Sequence, residues 1–154
     1  IRSLIERFEA FLDPEAVPAD IEAMIAVRWA LASTIYEHVA QEDRSVYLSL
    51  KSDGRAHVAR GARESRQALI ALYDRTQHHV ATWPTAVALV RWRDYCRATH
   101  SLLKAFRDRL AHEEATVYVW AEGNAGIQSG IMPPHERNWI SPAWLARERI
   151  HGVG

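Results

Sequence analysis

The chain has 154 residues, which is the length of a single domain. Its 19 Lys and Arg residues are matched by 19 Asp and Glu residues, and this balance excludes a nucleic-acid binder that acts through bulk positive charge. Hydrophobic residues make up 48% of the chain, which excludes a disordered tail protein. Because Cys96 is the single cysteine, a disulfide framework and a multi-cysteine zinc site are excluded, and we expect a cytoplasmic protein.

The first two predicted helices are separated by a proline-containing connection. Apolar residues at helical spacing predict a first helix over residues 1–12, and Asp13-Pro14 ends it. A second helix is predicted to begin near Asp20, whose side chain can stabilise the first turn, and to run to about Lys51. An Asp-Gly pair follows and stops this helix.

Two further helices complete the predicted bundle. The third is predicted from about His57 to Thr82, and the fourth runs from the connection at Pro84 to about Glu122. No stretch of the chain reaches the roughly 20 apolar residues of a membrane span, so we expect no membrane partner. Since short connections make consecutive helices antiparallel neighbours, residues 1–122 predict an all-α, up-down-up-down four-helix bundle.

The remaining residues, 123–154, form a C-terminal extension of different composition. Glycines and prolines predict a loop, and Ser141-Pro142 predicts the start of a short helix that ends near Ile150. Trp139 and Trp144 make this segment too apolar for a free tail. We expect it to pack back onto the bundle, with docking of a protein partner or of a second copy of the chain as the alternative.

Two segments, residues 35–47 and 106–118, carry similar types of residue in the same order. The first carries His38 and Glu42, and the second carries Arg109 and Glu113. In each pair the residues are four apart, so their side chains share one face of a helix. Both pairs lie on stripes that otherwise carry aliphatic residues, which predicts that they point into the bundle. A carboxylate in that position needs an ion-pair partner or a metal ion.

These residues resemble a known family. His38-x-x-x-Glu42-Asp43 in the second helix, Glu113-Glu114 in the fourth, and Trp83 at the end of the third resemble the hemerythrin-like family, also called the HHE cation-binding domain. The resemblance covers residues 1–122. It implies a four-helix bundle that holds a non-haem di-iron centre, in proteins that carry oxygen, sense oxygen or redox state, or handle iron.

The sequence departs from the family pattern at several ligand positions. The family expects a histidine from the first helix, and residues 1–12 contain none. Arg109 stands in place of the histidine of the fourth helix, and Ser65 stands at the level where the third helix would supply one. His79 lies roughly 15 to 20 Å further along the third helix, so we exclude it as a ligand of the same metal.

Three candidate ligands remain: His38, Glu42 and Glu113, with Glu64 as a fourth candidate. A guanidinium keeps its proton and cannot bind a metal ion, so Arg109 is predicted to form a salt bridge in place of the metal. We therefore expect iron to be absent, or one ion to be held weakly. The alternative is an interaction or signalling module that binds no metal. We expect no enzymatic activity, because the sequence shows no residues typical of a substrate pocket.

Overall fold

The computed structural model describes residues 1–122 together with Arg147, Ile150 and His151. All the regular elements in these residues are helical, which confirms the all-α prediction. The elements, in chain order, are α1 (Arg2–Glu9), α2 (Ile21–Lys51), α3 (Ala56–Thr82), α4 (Thr85–Val90), α5 (Trp92–His112), a π-helical turn (Glu113–Val117) and α6 (Tyr118–Glu122). Within the described residues, no helix combines the length and apolar character required to cross a membrane.

The ends of the first helices follow from local hydrogen bonds. Asp20 caps α2, because its side chain accepts a hydrogen bond of 2.9 Å from the backbone N–H of Ala23. Helix α1 ends at Glu9, three residues earlier than predicted. Phe11 and Leu12 continue as a tighter turn in which each backbone N–H bonds to the carbonyl three residues back. The predicted apolar stripe is therefore preserved while the α-helical hydrogen-bond pattern is not.

The fourth predicted helix is not continuous. It is interrupted at Arg91, whose backbone angles (φ −115°, ψ 46°) separate α4 from α5. It is interrupted again by the π-helical turn that begins at Glu113. A π-helical turn places one extra residue in the turn and rotates the side chains that follow it. The prediction of one uninterrupted helix up to Glu122 was wrong at these two points.

Helix α2 occupies the centre of the packing. It contacts α1, α3 and α6, while α5 contacts α1 and α3. The buried core runs along these contacts, from Ile5 and Phe8 of α1 to Leu103 and Phe106 of α5. Trp92 also ties α5 to the loop after α1, because its indole N–H donates a 2.6 Å hydrogen bond to the carbonyl of Asp13.

Most of the predicted C-terminal extension, including Trp139 and Trp144, lies outside the described residues. Ile150 is fully buried, and the hydroxyl of Thr85 donates a hydrogen bond to its carbonyl. The rings of His151 and Trp29 form an edge-to-face contact at a centroid distance of 5.9 Å. These contacts hold this short stretch of chain against α2 and α4.

Candidate functional site

The two matching segments of the sequence meet inside the protein. Helix α2 supplies His38 and Glu42, one turn apart, and the π-helical turn supplies Glu113. The His38 Nε2 atom lies 3.2 Å from Glu113 Oε2 and 3.8 Å from Glu42 Oε1. One ligand atom from each of the three residues lies within 4.8 Å of the other two. The structure therefore brings these three predicted residues together in a group that could hold a metal ion.

Arg109 extends into the same cluster from one turn before Glu113. Its Nε donates to Glu113 Oε1, and its Nη1 donates to both the carbonyl and the hydroxyl of Ser65, each at 3.0 Å. Its Nη2 donates to the hydroxyl of Tyr47 and lies 4.0 Å from Glu42 Oε2. Arg109 thus forms the buried ion pair that the sequence predicted, and Ser65 serves it as a hydrogen-bond partner.

Two tyrosines belong to the cluster, although the sequence analysis gave them no role in the site. The hydroxyl of Tyr47 lies 3.0 Å from Ser65 Oγ. The hydroxyl of Tyr118 donates a 2.6 Å hydrogen bond to Glu42 Oε1, and burial raises its pKa, so it stays protonated as a donor. The sequence feature that could have identified these residues is the tyrosine at the end of each of the two matching segments.

The structure does not bring Glu64 to this group. Neighbouring residues on an α-helix point about 100° apart. Since Ser65 is buried against Arg109, Glu64 is turned outward and is exposed, along a cleft that it lines with Gly61 and Trp120. Glu64 as a fourth ligand was therefore wrong. His79 also lies elsewhere, with its Nε2 3.3 Å from the hydroxyl of Thr99.

The two carboxyl groups have opposite electrostatic environments. Glu42 is 3% exposed, and burial raises its pKa to about 7 despite the hydrogen bond from Tyr118. Burial also acts to raise the pKa of Glu113, but the hydrogen bond with His38 and the charge of Arg109 outweigh it and hold this pKa below its usual value. The hydrogen bond to Glu113 raises the pKa of His38.

The donor set fits one cation but not two. Glu42 Oε2 is a buried oxygen without a hydrogen-bond partner, and a bound cation would satisfy it. Imidazole and carboxylate are suitable ligands for a first-row divalent metal when the histidine is neutral. The guanidinium of Arg109 is already bonded to Glu113 Oε1, so its positive charge occupies the position that a second ion would need. The residues of the cluster therefore do not fit a di-iron centre.

Comparisons with protein-family models, with curated proteins and with solved structures give no match for this chain.

Proposed function

We propose that this chain is a hemerythrin-like four-helix bundle in which a buried ion-pair cluster replaces the di-iron centre, and that His38, Glu42 and Glu113 hold no more than one divalent cation. The observation that carries the proposal is the buried guanidinium of Arg109 on Glu113. In this proposal the four helices of the bundle are α1, α2, α3 and a fourth, interrupted helix made of the consecutive segments α4 to α6. The contacts of α2 with α1 and α3, and of α5 with α1 and α3, support that arrangement.

Charge explains why cation binding at this site is weak. Glu42 and Glu113 supply two negative charges when both are ionised, and Arg109 cancels one of them permanently. A dication would also have to displace the proton favoured on His38 and share Glu113 with the guanidinium. When bound, an iron or manganese ion would supply Lewis-acid or one-electron redox chemistry. The protein's part is to present Nε2 of His38 and the carboxylates of Glu42 and Glu113.

One observation favours a second candidate, an interaction or signalling module that uses no metal. Each nitrogen of the Arg109 guanidinium donates at least one hydrogen bond within the bundle, to Glu113, Ser65 and Tyr47. Such a network holds the helices together without an ion. On this hypothesis the cluster fixes the shape of the bundle, and the function lies on its surface.

Metal titration separates the two candidates. We expect calorimetry with Mn²⁺, and with Fe²⁺ under anaerobic conditions, to give at most one ion per chain, with a Kd weaker than about 1 µM. Arg109→His replaces the fixed charge with a ligand, so metal affinity should rise by about tenfold or more. The matched control is Arg107→His on the same helix, which leaves the cluster intact and should change nothing.

Two tightly bound ions per wild-type chain would refute the proposal. If neither the wild type nor Arg109→His takes up metal while both remain folded, the module without metal is the better description. His38→Ala should abolish whatever binding the wild type shows, because it removes the single imidazole among the three grouped ligands.

A further inference from the structure

An open cleft lies between the C-terminal half of α3 and the middle of α5, outside the buried cluster. Its volume is about 290 Å³. The residues that α3 contributes are three or four apart in sequence, so their side chains are neighbours on one face of that helix. The polar residues that line the cleft are Arg75, His78, His79 and Thr82 from α3 and Ser101 from α5.

The guanidinium of Arg75 reaches from one wall of the cleft to the other. Its Nη2 donates a 2.9 Å hydrogen bond to the hydroxyl oxygen of Ser101. A guanidinium has five N–H donors, and this bond uses one of them. Because a hydroxyl can donate as well as accept, Ser101 keeps its own O–H for a further partner. Both side chains are exposed, so a solute that enters the cleft can reach these donors.

The charge at the cleft is positive. Among residues 1–122, 147, 150 and 151, no carboxylate lines it. The guanidinium of Arg75 is permanently charged, and the imidazole of His78 adds a second charge when it is protonated. Burial lowers the pKa of His79 to about 3, and the positive charges of Arg28, Arg75 and His78 act in the same direction. An anion in the cleft would therefore be attracted by the charges around it.

We propose that this cleft binds a phosphoryl group, either as inorganic phosphate or at the end of a small phosphomonoester. The planar donor set of Arg75 fits two oxygens of a phosphate at once. The hydroxyl of Ser101 can donate to a third oxygen from the opposite wall. A planar carboxylate has two oxygens, both of which Arg75 would occupy, whereas a phosphoryl group also has an oxygen for the second wall.

The remaining lining of the cleft is apolar and suits the organic part of a monoester. It consists of Trp83, Ala98 and Leu102. A cleft of about 290 Å³ is close to the lower limit of the roughly 300–1,000 Å³ found for small-molecule sites, so the organic part would have to be small.

Titration with inorganic phosphate at constant pH, followed by the NMR signals of the histidine side chains, tests the proposal. We expect the signals of His78 and His79 to shift in a saturable way, with a Kd of about 1 mM or tighter. The signal of His57, near the start of α3, should not move. Chloride at equal ionic strength should not produce the shift.

A parallel titration with phenyl phosphate distinguishes the two sources of the phosphoryl group. Tighter binding than that of inorganic phosphate indicates a phosphomonoester, because the ring then gains contacts with the apolar lining. Equal or weaker binding indicates free phosphate.

Arg75→Gln should weaken phosphate binding by about tenfold or more, because it removes both the charge and the paired donors. Arg63→Gln is the matched control, since Arg63 is exposed on the same helix, does not line the cleft, and loses the same charge. Its variant should bind phosphate as the wild type does. Ser101→Ala should weaken binding by about threefold or more without any change in charge.

Three results would overturn the proposal. One is the absence of a saturable shift in the wild type below about 10 mM phosphate. Another is an equal shift with chloride, which would mean that only ionic strength acts on the histidines. The third is an equal loss of affinity in Arg63→Gln and Arg75→Gln, which would mean that phosphate responds to the net charge of the protein and not to the cleft.

Discussion

Removal of the Arg109 side chain is the most direct test of the buried cluster. Arg109→Ala leaves Glu113, which has no exposed surface, without its guanidinium partner and breaks the bonds to Ser65 and Tyr47. Loss of one partner from a buried ion pair costs about 3–5 kcal/mol of unfolding free energy. His38 remains bonded to Glu113 and can carry a proton. We therefore expect Arg109→Ala to lower the free energy of unfolding by an amount near the lower limit of this range, about 3 kcal/mol.

The assay is urea unfolding followed by circular dichroism, with Arg107→Ala as the control. Arg107 lies on the same helix and pairs with Glu9, but the two side chains are 39% and 26% exposed. Its loss should cost less than about 1 kcal/mol. Arg109→Met tests the charge more narrowly because it keeps most of the apolar stem. Adding Glu113→Gln to it should restore part of the lost stability, since the uncompensated charge is then removed.

Equal losses of unfolding free energy in Arg109→Ala and Arg107→Ala would refute this reasoning. Such a result would mean that the carboxylates are hydrated or protonated in the folded protein and do not depend on the guanidinium. The proposed replacement of the metal by Arg109 would then lose its energetic basis.

Two further predictions concern other parts of the protein. Lowering the pH from 7 to 5 should reduce the free energy of unfolding of the wild type relative to that of His79→Gln, because the unfolded chain protonates His79 near its usual pKa of 6.5, whereas burial and the charges of Arg28 and Arg75 keep the folded pKa at about 3. The relative loss should be roughly 1–2 kcal/mol and absent above pH 7 when the urea midpoints of the two proteins are compared across that range. Protonation of Glu42, whose folded pKa is about 7, stabilises the fold as the pH falls, but it is common to both proteins and cancels in the comparison. Gly61→Ala should cost about 1–3 kcal/mol and alter tryptophan fluorescence, since its Cβ would lie 2.4 Å from the Trp120 ring. Gly54→Ala, with nothing within 4 Å of its Cβ, should change little in the same assays, and equal effects at the two glycines would contradict the contact.

The helices, and the shared helix face of His38 and Glu42, could be predicted because they are local properties of the chain. The spacing of apolar residues decides whether a segment is helical, and α2 ends at Lys51 as predicted. The four-residue spacing of His38 and Glu42 puts them on one face whatever surrounds the helix. The same rule correctly identified Arg109 as a buried partner of Glu113.

The partners of these residues on other helices were decided by the tertiary structure alone. Local spacing does not set the height and rotation of one helix against another, so it could not show that Ser65 faces Arg109 while Glu64 faces solvent. Nor could it predict the π-helical turn beginning at Glu113, because the spacing of apolar residues does not distinguish a π-helical turn from an α-helical one. Among the described residues, the buried Nη1 of Arg28 has no hydrogen-bond partner, and this is likewise a tertiary property, because it depends on which side chains the other helices bring to that level of α2.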